Sequence, residues 1–324
     1  MFSNSKSNLL LILKQFSNQY ASKKTFSVVS LSNYRTLINI KGEDAAKFLQ
    51  NLTTNNIYTL NNEKPSQFAF ILNNRGRIMY DTLIHLHPND HQKHYLMELD
   101  SKYVEQALKY FKLFKIKKKV DLSLEQNLKL YSIFGDDKDV GFESALLNVK
   151  DPRYDGLGYR LITQQNIESN SDLRNYRKIL YQNGVTENVE DYTQGSSIPL
   201  EYNIEFLNGV SFDKGCYLGQ ELVAKTHYTG VVRKRIMPFK LKQKIDESKF
   251  SKDNLILNKQ TGQTVGKLKN LIDEFGIGML RLANVDKNGI VLVDNDKNEH
   301  EIDVVIPKYW PLDDPLLKDL KKFD

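Results

Sequence analysis

Beyond residue 26 the chain alternates between runs with an apolar period of two and segments with a period near 3.6. Residues 27–40 are β-branched and apolar and predict a strand. Gly42-Glu43-Asp44 then opens a helix. Ala45, Phe48, Leu49 and Leu52 follow at helical spacing, and the acidic pair suits the positive end of the helix dipole. Residues 68–72 and 78–86 predict two strands joined by the turn Asn73-Asn74-Arg75-Gly76. Residues 94–99 predict another strand, and residues 102–114 a helix closing on Lys115, Lys117, Lys118 and Lys119. Two strands follow at 120–124 and 128–134. Residues 151–159 are rich in turn formers, 159–163 predict a strand, and 173–183 a helix stopped by Gly184. From Ile236 onward, short alternating runs are broken by Lys259-Gln260-Thr261-Gly262, Asp286-Lys287-Asn288-Gly289 and Asp294-Asn295-Asp296-Lys297. That rhythm predicts a small β-barrel or sandwich. The pattern gives an α+β body over residues 27–235 and an all-β unit over 236–324.

Composition adds limits. A chain of 324 residues with 40% hydrophobic and 27% charged residues holds two or three packed units with a soluble surface. The net charge of +6 fits either plain solubility or weak attraction to anionic ligands, nucleic acid or acidic proteins, and charge alone does not choose. A single cysteine excludes an intramolecular disulfide and any zinc site needing two cysteines from one chain. No Asp or Glu precedes Glu43, while Lys6, Lys14, Lys23, Lys24 and Arg35 do, among many Ser and Asn. With Leu9, Leu10, Leu13, Phe16 and Tyr20 near helical spacing, residues 1–26 are expected to be a mitochondrial transit peptide rather than a plain polar tail. The apolar run at 9–13 is too short to span a bilayer.

The densest chemical signal is Asn208-Gly209-Val210-Ser211-Phe212-Asp213-Lys214-Gly215-Cys216-Tyr217-Leu218-Gly219-Gln220-Glu221. Its glycines imply special backbone angles or close backbone approach. A helix beginning at Gln220 places Cys216 just ahead of a positive helix end. With Lys214 near in sequence, that setting is expected to favour the thiolate, the nucleophilic and metal-binding form. The alternative is a buried structural cysteine, which needs no such glycine-rich, charged setting.

The stretch resembles the Lys-Gly-Cys-Tyr-x-Gly-Gln-Glu signature of bacterial YgfZ and its mitochondrial iron–sulfur assembly relatives, homologues of the glycine-cleavage T-protein, an aminomethyltransferase. Lys214, Gly215, Cys216, Tyr217, Gly219, Gln220 and Glu221 match, with Leu218 at the variable position. Gly42-Glu43-Asp44-Ala45, Arg75-Gly76-Arg77 with Tyr80-Asp81, Asp151-Pro152-Arg153 with Leu157-Gly158-Tyr159-Arg160, and Pro199-Leu200-Glu201-Tyr202-Asn203 are similar to further family motifs. The resemblance implies domains ringed around a central cavity for tetrahydrofolate. It implies that Glu201 contacts the pterin, as a carboxylate accepting two hydrogen bonds. It also implies that Asp81 assists aminomethyl transfer, although Tyr80 replaces a second acid there; pairing with Arg77 is the alternative for Asp81. Arg77, Lys214, Tyr217, Gln220 and Glu221 are expected around the folate or the cluster.

Cys216 moves the expectation toward iron–sulfur work. One thiolate cannot fill the four ligand positions of a [2Fe–2S] centre, so a cluster at Cys216 takes its other ligands from another protein or a small thiol, and a transient cluster shared with a partner protein is the expectation. The resemblance implies an A-type scaffold protein as that partner, [4Fe–4S] enzymes such as aconitase and lipoate synthase as recipients, and the mitochondrial matrix as the place. A monomer without DNA or a membrane span is expected. A tetrahydrofolate-dependent one-carbon transferase is the rival reading. An RNA-associated module, using Lys109 to Lys119 with Tyr110, Phe111 and Phe114 interleaved, is the third. His85, His87, His91 and His94 raise the thought of a metal pair, but a solvated strand end and loop is the expectation. His227 is expected to pack at a helix end rather than to pair with Cys216.

Overall fold

The computed structural model describes residues 26–90, 93–135, 144–285, 289–313 and 317. The expected transit peptide up to residue 25, and His91, lie outside the described residues.

The first expected strand is two strands. β1 (Phe26–Ser30) and β2 (Arg35–Lys41) enter different sheets, because the chain turns between them. The N–H groups of Tyr34 and Arg35 both donate to the Leu31 carbonyl, at 2.8 and 2.7 Å. β1 pairs with β7 (Lys129–Gly135), followed by β9 (Tyr159–Thr163) and β8 (Leu147–Lys150), in a four-stranded antiparallel sheet. β2 joins β3 (Ser66–Leu72), β4 (Ile78–Leu86), β5 (His94–Asp100) and β6 (Asp121–Leu124) in a five-stranded antiparallel sheet of order β3-β4-β5-β2-β6.

One face of the larger sheet is covered by α1 (Ala45–Leu52) and α2 (Val104–Phe114). Phe48, Leu49, Leu108 and Phe111 pack there on Ile38, Ile71, Ile84 and Met97. The other face meets the smaller sheet and α3 (Leu173–Gln182) through Phe68, Phe70, Leu83, Ile162 and Leu180. A long connection then leads to α4 (Gln220–Thr229). The last strands, β10 (Lys234–Leu241), β11 (Leu255–Asn258), β12 (Thr264–Ile272), β13 (Phe275–Arg281), β14 (Ile290–Val293) and β15 (Glu299–Val304), close a six-stranded barrel. Closure leaves no strand edge unpaired, and Met237, Ile256, Leu280 and Leu292 fill its interior.

Charged residues are built into the contact between the two open sheets. Arg35 of β2 donates to Asp81 of β4 at 2.8 Å. Arg160 of β9 lies 3.5 Å from Glu98 of β5 and 2.8 Å from Glu187. Arg153 pairs with Asp151 at 2.7 Å and with Glu187 at 2.9 Å. All of these side chains are buried. His85, expected at a solvated strand end, is buried in this network as well. Its Nε2 lies 2.8 Å from Glu98 and its Nδ1 2.6 Å from Ser66 Oγ. His94 is also buried, 2.7 Å from the Asn39 side-chain oxygen and stacked on His87. The expectation failed because the polar partners come from neighbouring strands and are invisible in the local sequence.

Burial pushes the Glu98, Asp151 and Glu187 carboxyls up, but their arginine partners outweigh it and hold all three below the ordinary carboxylate range. Stability from a depressed carboxyl is full above its unfolded value, 4.5 for glutamate and 3.8 for aspartate, and is lost as pH falls through the folded value. Asp191 has the opposite sign. Burial raises it to about 7, so its contribution is full below 3.8 and is lost as pH rises toward 7. Urea midpoints are therefore expected to fall steeply on acidification below 4.5 and to decline gently from there to 7. A midpoint that does not move below pH 4.5 contradicts the ionised network.

Candidate functional site around Cys216

The loop before α4 is anchored from inside. Lys214 is buried, and its ammonium donates to the carbonyls of Gln50, Thr53 and Asn55, each at 2.7 Å. These groups lie at or just beyond the C-terminal end of α1, whose last carbonyls lack helical partners. Burial draws the Lys214 pKa down to about 7, while the three carbonyl acceptors act in the opposite sense, favouring the charged form. Lys214 is therefore committed to the α1 terminus and not to the thiol, contrary to the sequence expectation. Tyr217 is buried too, with the Lys214 ammonium 4.9 Å from its ring centre. The Ser211 N–H donates to Thr54 and the Leu218 N–H to Asn51, stitching the loop along the same helix end. Between the two inward anchors, Gly215 and Cys216 face outward, and Cys216 is exposed.

Two glycines fix where the thiol stands. Gly219 has φ +79°, and a Cβ there would lie 2.4 Å from the Asn73 carbonyl oxygen and 2.9 Å from Gly76 Cα. Gly76 has φ +72°, and a Cβ there would meet Leu222 at 2.6 Å and the Gly219 carbonyl oxygen at 2.8 Å. The β3–β4 turn and the cysteine loop thus press backbone on backbone, which only glycine allows. Asn51, Asn74, Phe114, Gln220 and Glu221 surround Cys216 in an open recess of about 590 Å³. Gln220 also accepts from the Tyr217 N–H at 3.3 Å. Nothing local in the sequence joins Asn51, Asn74 or Phe114 to the cysteine, so their place beside it was not expected. Among the described residues, no group of three or more His, Cys, Asp or Glu is arranged to hold a metal ion. His227 does pack at the helix end, stacked on Phe212 with ring centres 3.6 Å apart.

Glu201 lies in a different place. The long connection after α3 bonds to Ile78 of β4 through Gly195 and Ser197 and then enters a short 3-10 turn, Pro199–Tyr202, closed by Asn203 at φ 58°. Asn203 donates to the Ile236 carbonyl, and Arg235 donates to the Leu200 carbonyl, so the turn is clamped to the first barrel strand. Glu201 lines a cavity of about 1030 Å³ between α4 and the barrel, with Lys225, Arg233, Lys234 and Arg281. Burial raises its pKa, opposed by Lys234 at 3.3 Å and by Arg77 and Lys269. Arg77 thus acts on Glu201 rather than on Asp81. The Asp81 oxygens accept from Arg35, from the Asn188 N–H and from the Tyr192 hydroxyl, at 2.8 to 3.0 Å, inside the sheet contact. Strand alternation turns Tyr80 to the opposite face, where it meets Tyr110 and Phe111.

The fold of two antiparallel sheets joined to a closed barrel is shared with a solved aminomethyltransferase. The glycine cleavage system aminomethyltransferase T of Bartonella henselae superposes with a TM-score of 0.66 at 10% sequence identity, covering 88% of this chain and 86% of that one. Residues 233–312 match the family of CAF17 C-terminal β-barrel domains. The mouse mitochondrial iron–sulfur cluster assembly factor IBA57 is 32% identical over 300 residues, covering 86% of this chain and 84% of its own length. Its human counterpart is 30% identical over 299 residues, covering 86% and 83%. The Dictyostelium discoideum homologue is 32% identical over 265 residues, covering 69% and 65%. The chain belongs to the IBA57 family of mitochondrial iron–sulfur cluster assembly factors.

Proposed function

We propose that this chain assists maturation of [4Fe–4S] proteins in the mitochondrial matrix, with Cys216 as its ligand to a [2Fe–2S] cluster held jointly with an A-type scaffold protein. The observation that carries the reading is the outward-facing thiol on a loop locked by Lys214, Tyr217 and the Gly76–Gly219 contact. A flexible surface cysteine needs no such support. As its sulfur bonds to iron, the Cys216 thiol gives up its proton and displaces one existing ligand, with no change of oxidation state. The chain has no second cysteine, so every other thiolate ligand comes from another molecule. The amides of Asn51, Asn74 and Gln220 line the recess around that sulfur and offer hydrogen bonds to a bound cluster.

The cavity at Glu201 fits a folate in size and chemistry. A pocket of about 1030 Å³ is in the range of drug-sized ligands, and the carboxylate is turned toward it among Lys225, Arg233 and Lys234. Glu201 would hold the pterin amino and ring N–H groups, and the basic side chains the anionic tail. Folate, when bound, supplies a carrier for one-carbon units. Asp81 we assign to positioning the sheets, since its oxygens are engaged within the core.

Replacement in cells lacking the native protein separates these roles. Cys216→Ser is expected to leave aconitase and lipoate synthase activities as low as no protein at all, while Glu201→Ala restores a substantial part. Full rescue by Cys216→Ser with none by Glu201→Ala would move the assignment to folate-dependent one-carbon transfer.

A further inference from the structure

The face that carries Cys216 continues onto the end of α2. Phe114 lines the cysteine recess, and on either side of it Leu113 is 65% and Ile116 73% exposed. The buried stripe of α2 is Val104, Ala107, Leu108 and Phe111, so Leu113 and Ile116 lie off it and cover no part of the core. Lys109, Lys112 and Lys117 stand exposed around them and form no ion pair among the described residues, whereas Lys119 is paired with Glu43. The helix dipole accounts for lysines at a C-terminus. It does not account for two bare aliphatic side chains flanking, in sequence, the Phe114 that lines the Cys216 recess. An apolar centre with a charged rim is the anatomy of a protein–protein contact.

We propose that Leu113 and Ile116, rimmed by Lys109, Lys112 and Lys117, dock the protein that presents the cluster to Cys216. The surface fits a partner with an apolar contact patch bordered by Asp and Glu. A thiolate-held cluster is itself net negative, so the same lysines favour its approach. The proposal rests on the reading of Cys216 as a cluster ligand.

The test uses the full purified chain and an A-type scaffold protein loaded with a [2Fe–2S] cluster, following affinity by titration and the cluster by its visible spectrum. Leu113→Ser with Ile116→Ser is expected to weaken association roughly ten-fold or more. Lys112→Glu with Lys117→Glu is expected to slow association and flatten its salt dependence. Both double variants should keep the wild-type unfolding midpoint, because the altered side chains are exposed. Both should reach the wild-type spectrum at saturating concentration, whereas Cys216→Ser should not. Unchanged affinity of Leu113→Ser with Ile116→Ser, with the wild-type spectral change present, overturns the surface and leaves the role of Cys216 standing. Binding of a single-stranded RNA that Lys112→Glu with Lys117→Glu removes, at unaltered scaffold affinity, overturns it in favour of nucleic acid. Absence of any wild-type spectral change overturns the Cys216 reading and the docking surface together.

Discussion

Arg160→Ala is expected to destabilise the chain by about 3–5 kcal/mol, a large part of the stability of an ordinary domain. Arg160 is fully buried. It contacts Glu187 at 2.8 Å, the Tyr176 hydroxyl at 2.6 Å and Glu98 at 3.5 Å. Without it, carboxylates of β5, of the 151–153 turn and of the segment after α3 face each other in a dry contact, with Arg35 and Arg153 the remaining arginines and His85 on Glu98. Arg160→Met fills most of the volume and still leaves the charges unpaired, so it should be nearly as damaging. That similarity distinguishes lost charge from lost packing. Removing Lys150, whose pair with Asp155 is exposed, should not move the urea midpoint. Equal tolerance of Lys150→Ala and Arg160→Ala in urea unfolding would show that the network does not hold the two sheets together.

Gly219→Ala is expected to leave a folded protein with a misplaced thiol. A left-handed backbone costs an alanine roughly 1–2 kcal/mol. The larger effect is steric, because the new methyl would stand 2.4 Å from the Asn73 carbonyl oxygen, a backbone atom that yields only if the turn moves. Relief comes by withdrawing the cysteine loop from the β3–β4 turn, and the recess around Cys216 is built on that contact. Cluster acquisition should fall by roughly ten-fold or more while circular dichroism stays native, since ligand geometry must be held within a fraction of an ångström. Gly215→Ala is the matched control, with no atom within 4 Å of its added Cβ, and should be silent. Normal cluster acquisition by Gly219→Ala would show that the glycine contact does not position the thiol.

These two predictions also mark what was legible in the sequence. Elements with a local signal were readable: α1 from its apolar spacing, and the barrel strands from regular turn punctuation. The break at Ser32-Asn33-Tyr34 was missed because the apolar run resumes at once on the far side. Cys216 was found because its neighbours are chemically odd for a core. The role of Lys214 was misread for the same reason. Nearness in sequence suggested a thiol partner, but the loop turns Lys214 inward and Cys216 outward. The charged network was hidden, since Arg35, Glu98 and Arg160 sit singly in strands and acquire partners only when strands distant in sequence pair and the two sheets pack together. Gly76 and Gly219 were each noticed in a motif. That they touch is a fact of tertiary structure, and it explains why both motifs need glycine.

The most direct test of the central claim is the visible spectrum of the purified chain mixed with a [2Fe–2S]-loaded A-type scaffold protein, recorded for wild type and for Cys216→Ser at matched concentrations. The account predicts a new set of cluster bands with wild type and only the scaffold's own spectrum with Cys216→Ser. Identical spectra for the two mixtures would contradict it.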